Sequence, residues 1–531
     1  MIKRGKKRAP GIDEPLRHPD HKKPVTRRDF LAQGFLTGSA TVIAPSLLGM
    51  LLNPRLAHAS LSSDINNLLG VCKITAGAGK IPFICFDLAG GANIAGSNVL
   101  VGQQGGQLDF LSTAGYSKLG LPGNMTPASA TANFINTQLG LAFHSDSAFL
   151  RGMLTRVSAT TMANVNGAVI PARSENDTGN NPHNPMYGIA RAGAKGELLT
   201  LIGSQSSDSG GNSMAPAMMI DLTVRPTKID RTSDAKGLVD TGELGTLLGS
   251  QADTVSVMES IERISRLKLD QVDTKLGNPT DADTKQLAQC GYVKTAYLSD
   301  KFGNPAAIDP SADPDIKGGA GIFTDAEYTG EREFEKTASV MKLVVEGYAG
   351  AGTISMGGFD YHTGDRSQGE AKDFRAGVCM GACLEFAARR GKPLMIYVFS
   401  DGSLSSNGMI DSSVGGRGKG VWTGDNQSTA SSFFLVFNPS GRPALSTGGG
   451  TPPERHQQIG YFRASGDIET ASHPGANAVN LLVETVILNY MALHGEQGQF
   501  ATLFPNHGLG STTLRDSLVA FNPIVNGKIG G

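Results

Sequence analysis

Residues 353–399 read TISMGGFDYHTGDRSQGEAKDFRAGVCMGACLEFAARRGKPLMIYVF, and their order of apolar and polar positions decides the fold class. Thr353 to Met356 is a short apolar run that predicts a buried strand. From Gln368 to Arg390, the residues Phe374, Val378, Cys379, Ala382 and Phe386 recur at helical intervals, and Gly391 supplies a C-terminal stop. Pro393-Leu-Met-Ile-Tyr-Val-Phe399 is a second apolar run. Strand, helix, strand predicts a parallel pair within an α/β sheet. Ile81-Pro-Phe-Ile-Cys-Phe86, which runs into Asp87 and Gly90-Gly91, and Ser432 to Phe437 predict two further buried strands.

Working outward, Val257, Met258, Ile261, Ile264 and Leu267 recur at helical spacing and a second helical stretch follows from Gln286 to Leu298. These predict a helical insertion, about residues 221–320, in a single domain spanning 60–531. Segments 157–220 and 300–320 are rich in Gly, Ser, Asn, Asp and Pro and read as long loops. Leu481 to Leu493 is apolar but carries Glu484 and Asn489, which predicts an amphipathic helix with His494 as a dipole-favoured C-terminal cap. Hydrophobic residues at 39% and charged residues at 18% suit a globular core.

Net charge is −1, but its distribution is uneven. The first 59 residues hold eleven Lys and Arg against four acids, leaving 36 basic and 44 acidic residues beyond, a net charge of −8. That remainder lacks the basic footprint of nucleic-acid binding. The leader itself runs from a basic region through Thr26-Arg27-Arg28-Asp29-Phe30-Leu31 and an apolar stretch, Phe35 to Leu52, to Ala57-His58-Ala59. This order reads as a twin-arginine export signal cleaved before Ser60. It implies the twin-arginine translocase as an export partner, and a periplasmic or cell-surface destination. Gly34, Gly38, Pro45 and Gly49 dilute the apolar stretch below the ~20 residues a bilayer span needs, so no stable membrane span is expected after cleavage.

Five cysteines are an odd number and too few for a disulfide scaffold of this length. Cys379 and Cys383, four apart, share a helical face as small core residues.

Polar clusters stand at or after the predicted strands. They are Asp87-Leu-Ala-Gly-Gly-Ala-Asn93 with Ser97, Gly358-Phe-Asp360-Tyr-His362, Ser400-Asp401 with downstream Asn407, and Gly424-Asp425-Asn426-Gln427. In open α/β sheets, ligands bind outside the carboxyl ends of strands. Carboxylates and an imidazole converging there suit one or two divalent ions: Zn²⁺ where His contributes, Mn²⁺, Mg²⁺ or Ca²⁺ where oxygen dominates. Asp and Asn at such positions also close turns and cap helices.

The order of leader, Gly-Gly-x-Asn loop, GFDYH, helix, FSDG with a later Asn, and GDNQ resembles the exported domain-of-unknown-function 1501 family, whose pattern runs GGND, GFDTH, SEFGR with a later Asn, and GTDHG. That family is similar to the alkaline phosphatase and sulfatase superfamily. The resemblance covers roughly residues 80–440 and implies a central, mostly parallel sheet flanked by helices, with metal ligands at the strand ends and hydrolysis of phosphate or sulfate esters. It places Asp360 and His362 as ligands, Asp401 at the family's Glu and Asn407 at its Asn, and with Asp87 substituting at the first strand end the ligand set it implies is Asp87, Asp360, His362 and Asp401. Asn93 stands where the family has Asp, and Gln427 where it has His.

Two loop-borne histidines, His183 and His507, are candidates for the displaced imidazole or are satisfied structural residues. Arg417 and Lys419, in Gly-Gly-Arg-Gly-Lys-Gly, read either as an anion cradle or as a solvated loop. On the enzyme reading, Ser97 or water attacks a small anionic ester. The alternative is a catalytically inert exported protein, kept for binding or surface assembly on the same scaffold.

Overall fold

The structure is a computed structural model that describes residues 61–72, 74, 79–127, 133–174, 181–239, 248, 250–302, 307–364 and 366–529. The leader read as an export signal, with Arg27, Arg28, Ala57 and Ala59, lies outside the described residues.

The chain divides into two compact units, Met1–Thr75 with Thr241–Asn304, and Ala76–Asp240 with Pro305–Gly531. The larger unit is built on a seven-stranded sheet. Its strands are β1 (Phe83–Leu88), β2 (Val165–Pro171), β3 (Leu199–Gly203), β4 (Thr227–Lys228), β5 (Ala349–Met356), β6 (Leu394–Phe399) and β7 (Ser431–Phe437). They lie in the order β2-β7-β6-β1-β5-β3-β4. β1 runs parallel to β5 and β6, β3 runs parallel to β4 and β5, and β7 is antiparallel to both of its neighbours. The expected α/β architecture, a mostly parallel central sheet flanked by helices, is therefore present.

Central strands covered on both faces read as continuous apolar runs, as β1 and β6 do. Their side chains alternate between two helical layers. On one side Phe83 meets Tyr490 of α5 (Val479–Leu493) edge to face at 5.6 Å, in a core shared with α2 (Met186–Arg191). On the other, Phe433 meets Phe149 of α1 (Ala148–Leu154), and α1 packs against α4 (Arg366–Arg389). α3 (Arg332–Val345) packs on α4 and on β5.

Two expectations need correction. Residues 157–220 are not continuous loop: they hold β2, α2 and β3. Averaging Gly, Ser and Asn over sixty positions hides strands of five to seven residues such as Val165–Pro171. The helices expected near 251–300 are present as Gln251–Asp270 and Thr280–Phe302, but they belong to the smaller unit. There Met258, Val293 and Ala296 pack with Ile65, and a disulfide joins Cys72 to Cys290 with Cα atoms 5.3 Å apart. The other cysteines, Cys85, Cys379 and Cys383, are buried thiols of the larger core. No helix of the described residues is long and apolar enough to cross a membrane.

A candidate metal site at the strand ends

The loops leaving β1, β5 and β6 are joined by their own hydrogen bonds. Ala89 donates its N–H to the Met356 carbonyl, and Phe359 donates to that of Ala89, each at 3.0 Å. Ser400, just after β6, donates its hydroxyl to the Leu88 carbonyl at 2.6 Å and accepts from the backbone N–H groups of Gly91 and Ala92. Gly90 has φ +122°, and a Cβ there would stand 2.6 Å from the Asp360 backbone nitrogen. Only glycine lets these loops approach so closely.

Asp360 and His362 sit on the outer side of this junction. His362 Nδ1 is hydrogen-bonded to Asp360 Oδ1 and lies 3.5 Å from Asp425 Oδ1. Asp425 is delivered by a short antiparallel ribbon in which Gly424–Asp425 pairs with Leu404–Ser405, downstream of β6. One ligand atom from each of Asp360, His362 and Asp425 lies within 4.8 Å of the others. Two carboxylate oxygens and one imidazole nitrogen form a donor set suited to Zn²⁺ or Mn²⁺. Bonds of ~2.1 Å to a tetrahedral ion would put ligand atoms about 3.4 Å apart, so the His362–Asp425 separation already has the required spacing. Asp360 and Asp425 are exposed and His362 is half-buried, so solvent reaches the group.

Asp87 and Asp401, expected as ligands, form a buried layer outside that group. Asp401 Oδ1 accepts the Gly90 N–H at 2.7 Å. Asp87 accepts from the Asn212 and Ser213 backbone N–H groups at 2.7 and 2.8 Å and from the Ser213 hydroxyl at 3.0 Å. A Cβ on Gly211 would stand 2.6 Å from Asp87 Oδ2, which requires glycine there. Burial pushes the Asp87 carboxyl up to about 6 against the hydrogen bonds from Ser213, and the Asp401 charge adds to the rise. Both carboxylates brace the junction from beneath.

The remaining candidates separate by position. Ser97 is 1% exposed and donates to Asn93 Oδ1 at 2.6 Å, so this hydroxyl is not presented to a substrate. Asn93 and Ser97 instead belong to a buried network. The Asn93 N–H donates to Tyr361 Oη, the Tyr361 hydroxyl donates to Asp373 at 2.8 Å, and Asn98 donates to the same carboxylate at 2.7 Å. Burial pushes Asp373 up to about 7 against those two hydrogen bonds. The network holds the Asp360–His362 segment through the residue between them.

Arg417 and Lys419 are not an anion cradle. Arg417 forks onto Asp146, with Nε–Oδ2 at 2.8 Å, and fully buried Lys419 donates to Glu370 at 2.8 Å. Asn407 accepts the Met409 N–H in an exposed turn. His507 lines a separate cavity of about 130 Å³ with Arg191 and Glu484. His183 is buried, its ring stacked on Phe399 at 5.7 Å, and burial lowers its pKa to about 3, leaving a neutral imidazole outside the Asp360 group. His494 does cap α5, yet burial holds it neutral. It accepts the Ile81 N–H at Nε2 and donates from Nδ1 to the Tyr490 carbonyl.

Gln427 lines a cavity of about 510 Å³ that opens beside Asp425 and is also lined by Arg173. The sequence places Asp425 in one of the polar clusters but not among the expected ligands, and it gives no site role to Arg173 or Ser213. Asp425 stands in GDNQ two residues before Gln427, Arg173 follows a strand hidden in a polar segment, and Ser213 sits in a glycine-rich loop with no apolar run before it.

Comparison of the chain with family models, curated proteins and solved structures yields no match.

Proposed function

We propose that the chain is an exported protein that holds one divalent ion at Asp360, His362 and Asp425 and hydrolyses phosphate or sulfate monoesters there. The observation that carries this reading is the convergence of two carboxylates and an imidazole outside the carboxyl ends of parallel strands, beside a cavity of about 510 Å³. When bound, such an ion supplies positive charge for an anionic transition state and acidifies water. The chain's own part is positional. The ribbon aims Asp425, the Tyr361–Asp373 bond anchors the loop between Asp360 and His362, and Gly90 closes the floor on which Asp360 rests. The twin-arginine leader, Arg27-Arg28 with Ala57-His58-Ala59, supports export through the translocase to the periplasm or cell surface.

The burial of Ser97 favours a second reading, an inert binding or assembly protein on the same scaffold, since a nucleophile in that loop is absent from the surface. Turnover decides between them. On the enzyme reading, Zn²⁺- or Mn²⁺-loaded protein hydrolyses a phosphate or a sulfate monoester, and Asp360→Asn lowers kcat/KM by about 100-fold, the upper range for loss of a metal-site partner. Asn407→Ala, in its exposed turn, leaves the rate unchanged. Metal-loaded protein that turns over neither ester class contradicts the hydrolase and supports the inert scaffold.

A further inference from the structure

Beside Asp425 the cavity has a chemistry of its own. Arg173 lies two residues beyond the end of β2, half-buried, and donates from Nη1 to Asn477 Oδ1 at 2.9 Å and from Nη2 to Gln427 Oε1 at 3.1 Å. Among the described residues both partners are neutral amides, and its Nε has none. Arg151, Arg366, Arg417 and Lys419 differ, each resting on a carboxylate of Asp146 or Glu370. Ser174, also on the cavity wall, is 2% exposed, and its hydroxyl has no partner among the described residues. An unsatisfied buried hydroxyl beside a guanidinium paired only to neutral groups is an incomplete arrangement, because buried polar groups are otherwise hydrogen-bonded. Among the described residues, no aliphatic or aromatic side chain lines the cavity, which argues against an apolar occupant. Arginine's planar fork matches tetrahedral oxyanions two bonds at a time.

We propose that this cavity is a receptor for a small tetrahedral oxyanion, phosphate or sulfate, held by Arg173 together with Ser174. As the substrate-holding half of a hydrolase the inference rests on the reading above, but anion binding itself needs no metal. Asp425, on the same wall, repels the anion until its charge is neutralised, so an ion at Asp360, His362 and Asp425 and an anion at Arg173 strengthen one another. Arg173 thereby takes the role that the sequence placed on Arg417 and Lys419.

Calorimetric titration of the chelator-treated protein with inorganic phosphate, and separately with inorganic sulfate, tests this. Saturable binding of one anion per chain is expected, weakened at least tenfold in Arg173→Gln and less in Arg173→Lys, which keeps the charge but loses the fork. Asp425→Asn is expected to tighten the anion several-fold while weakening Zn²⁺ at least about tenfold, and Arg173→Gln to keep the parent's Zn²⁺ affinity when no anion is present, which also reports an intact fold. The anion that binds more tightly names the ester class. Absence of binding to both anions, undiminished binding in Arg173→Gln, or weaker binding in Asp425→Asn overturns the proposal. Arg173-dependent anion binding without any Zn²⁺ binding would retain this receptor and remove the metal reading.

Discussion

Arg151, Arg366, Arg417 and Lys419 gather around Asp146 and Glu370, whereas Asp360 and Asp425 gather around His362. In the first group a cation stands between the carboxylates. Lys419 Nζ lies 2.8 Å from Glu370 and 3.2 Å from Asp146, and Glu370 also receives Arg366 at 2.8 Å and Arg151 at 2.7 Å. Although burial opposes ionisation, Arg366 and Lys419 hold the Glu370 carboxyl below its ordinary range. In the second group carboxylate faces carboxylate across a single imidazole, close to solvent. A cation-centred cluster is complete as it stands and fixes structure. Gathered acids lower their mutual repulsion by taking up a proton or a cation, which makes this second group the candidate metal site.

The largest effect expected from this contrast is on the first group. Glu370→Gln leaves Lys419 and Arg366, exposed by 0% and 2%, without their shared carboxylate, and breaking a buried pair costs about 3–5 kcal/mol. Urea unfolding should show a loss in that range, while Asp360→Asn, at an exposed position, stays within about 0.5 kcal/mol of the parent. Equal losses in the two variants would erase the distinction.

How much of this is legible in sequence depends on what each residue's neighbours are. β1, β5, β6 and α4 are legible because both-sided burial writes unbroken apolar runs and a helical period into adjacent residues. Asp360 and His362 are legible because they lie two apart, in a loop directly after a strand. Asp425 depends on a ribbon pairing with Leu404–Ser405, twenty residues earlier, and Arg173 on the meeting of β2's exit with the loop at Gln427. Such long-range pairings leave no local pattern. Arg417 and Lys419 misled for the converse reason: glycine-rich spacing suggests an open loop, but the carboxylates that bind them come from elsewhere in the chain.

Asp87 stands between the two plans, buried like the first group but beside another acid like the second. Its unfolded pKa of 3.8 rises to about 6 on folding. Between those values the folded chain keeps a proton that the unfolded chain has released, so stability falls as pH rises through this window, by about 3 kcal/mol at full amplitude. Asp87→Asn should flatten that part of the pH profile. Chemical unfolding of both proteins at pH 4, 5 and 6 checks it, and an unchanged slope in the variant would assign the effect to Asp373, whose folded value is about 7.

The most direct measurement is the stoichiometry and affinity of Zn²⁺ and Mn²⁺ for the purified protein, determined by titration calorimetry on four variants beside the parent. The account predicts one ion per chain, bound at least about tenfold more weakly in Asp360→Asn, His362→Gln and Asp425→Asn. It predicts an affinity close to the parent's in folded Asp401→Asn, because Asp401 braces the loop through Gly90 without joining the ligand group. Binding that is absent from the parent, or lost in Asp401→Asn and kept in Asp425→Asn, would contradict the site described here.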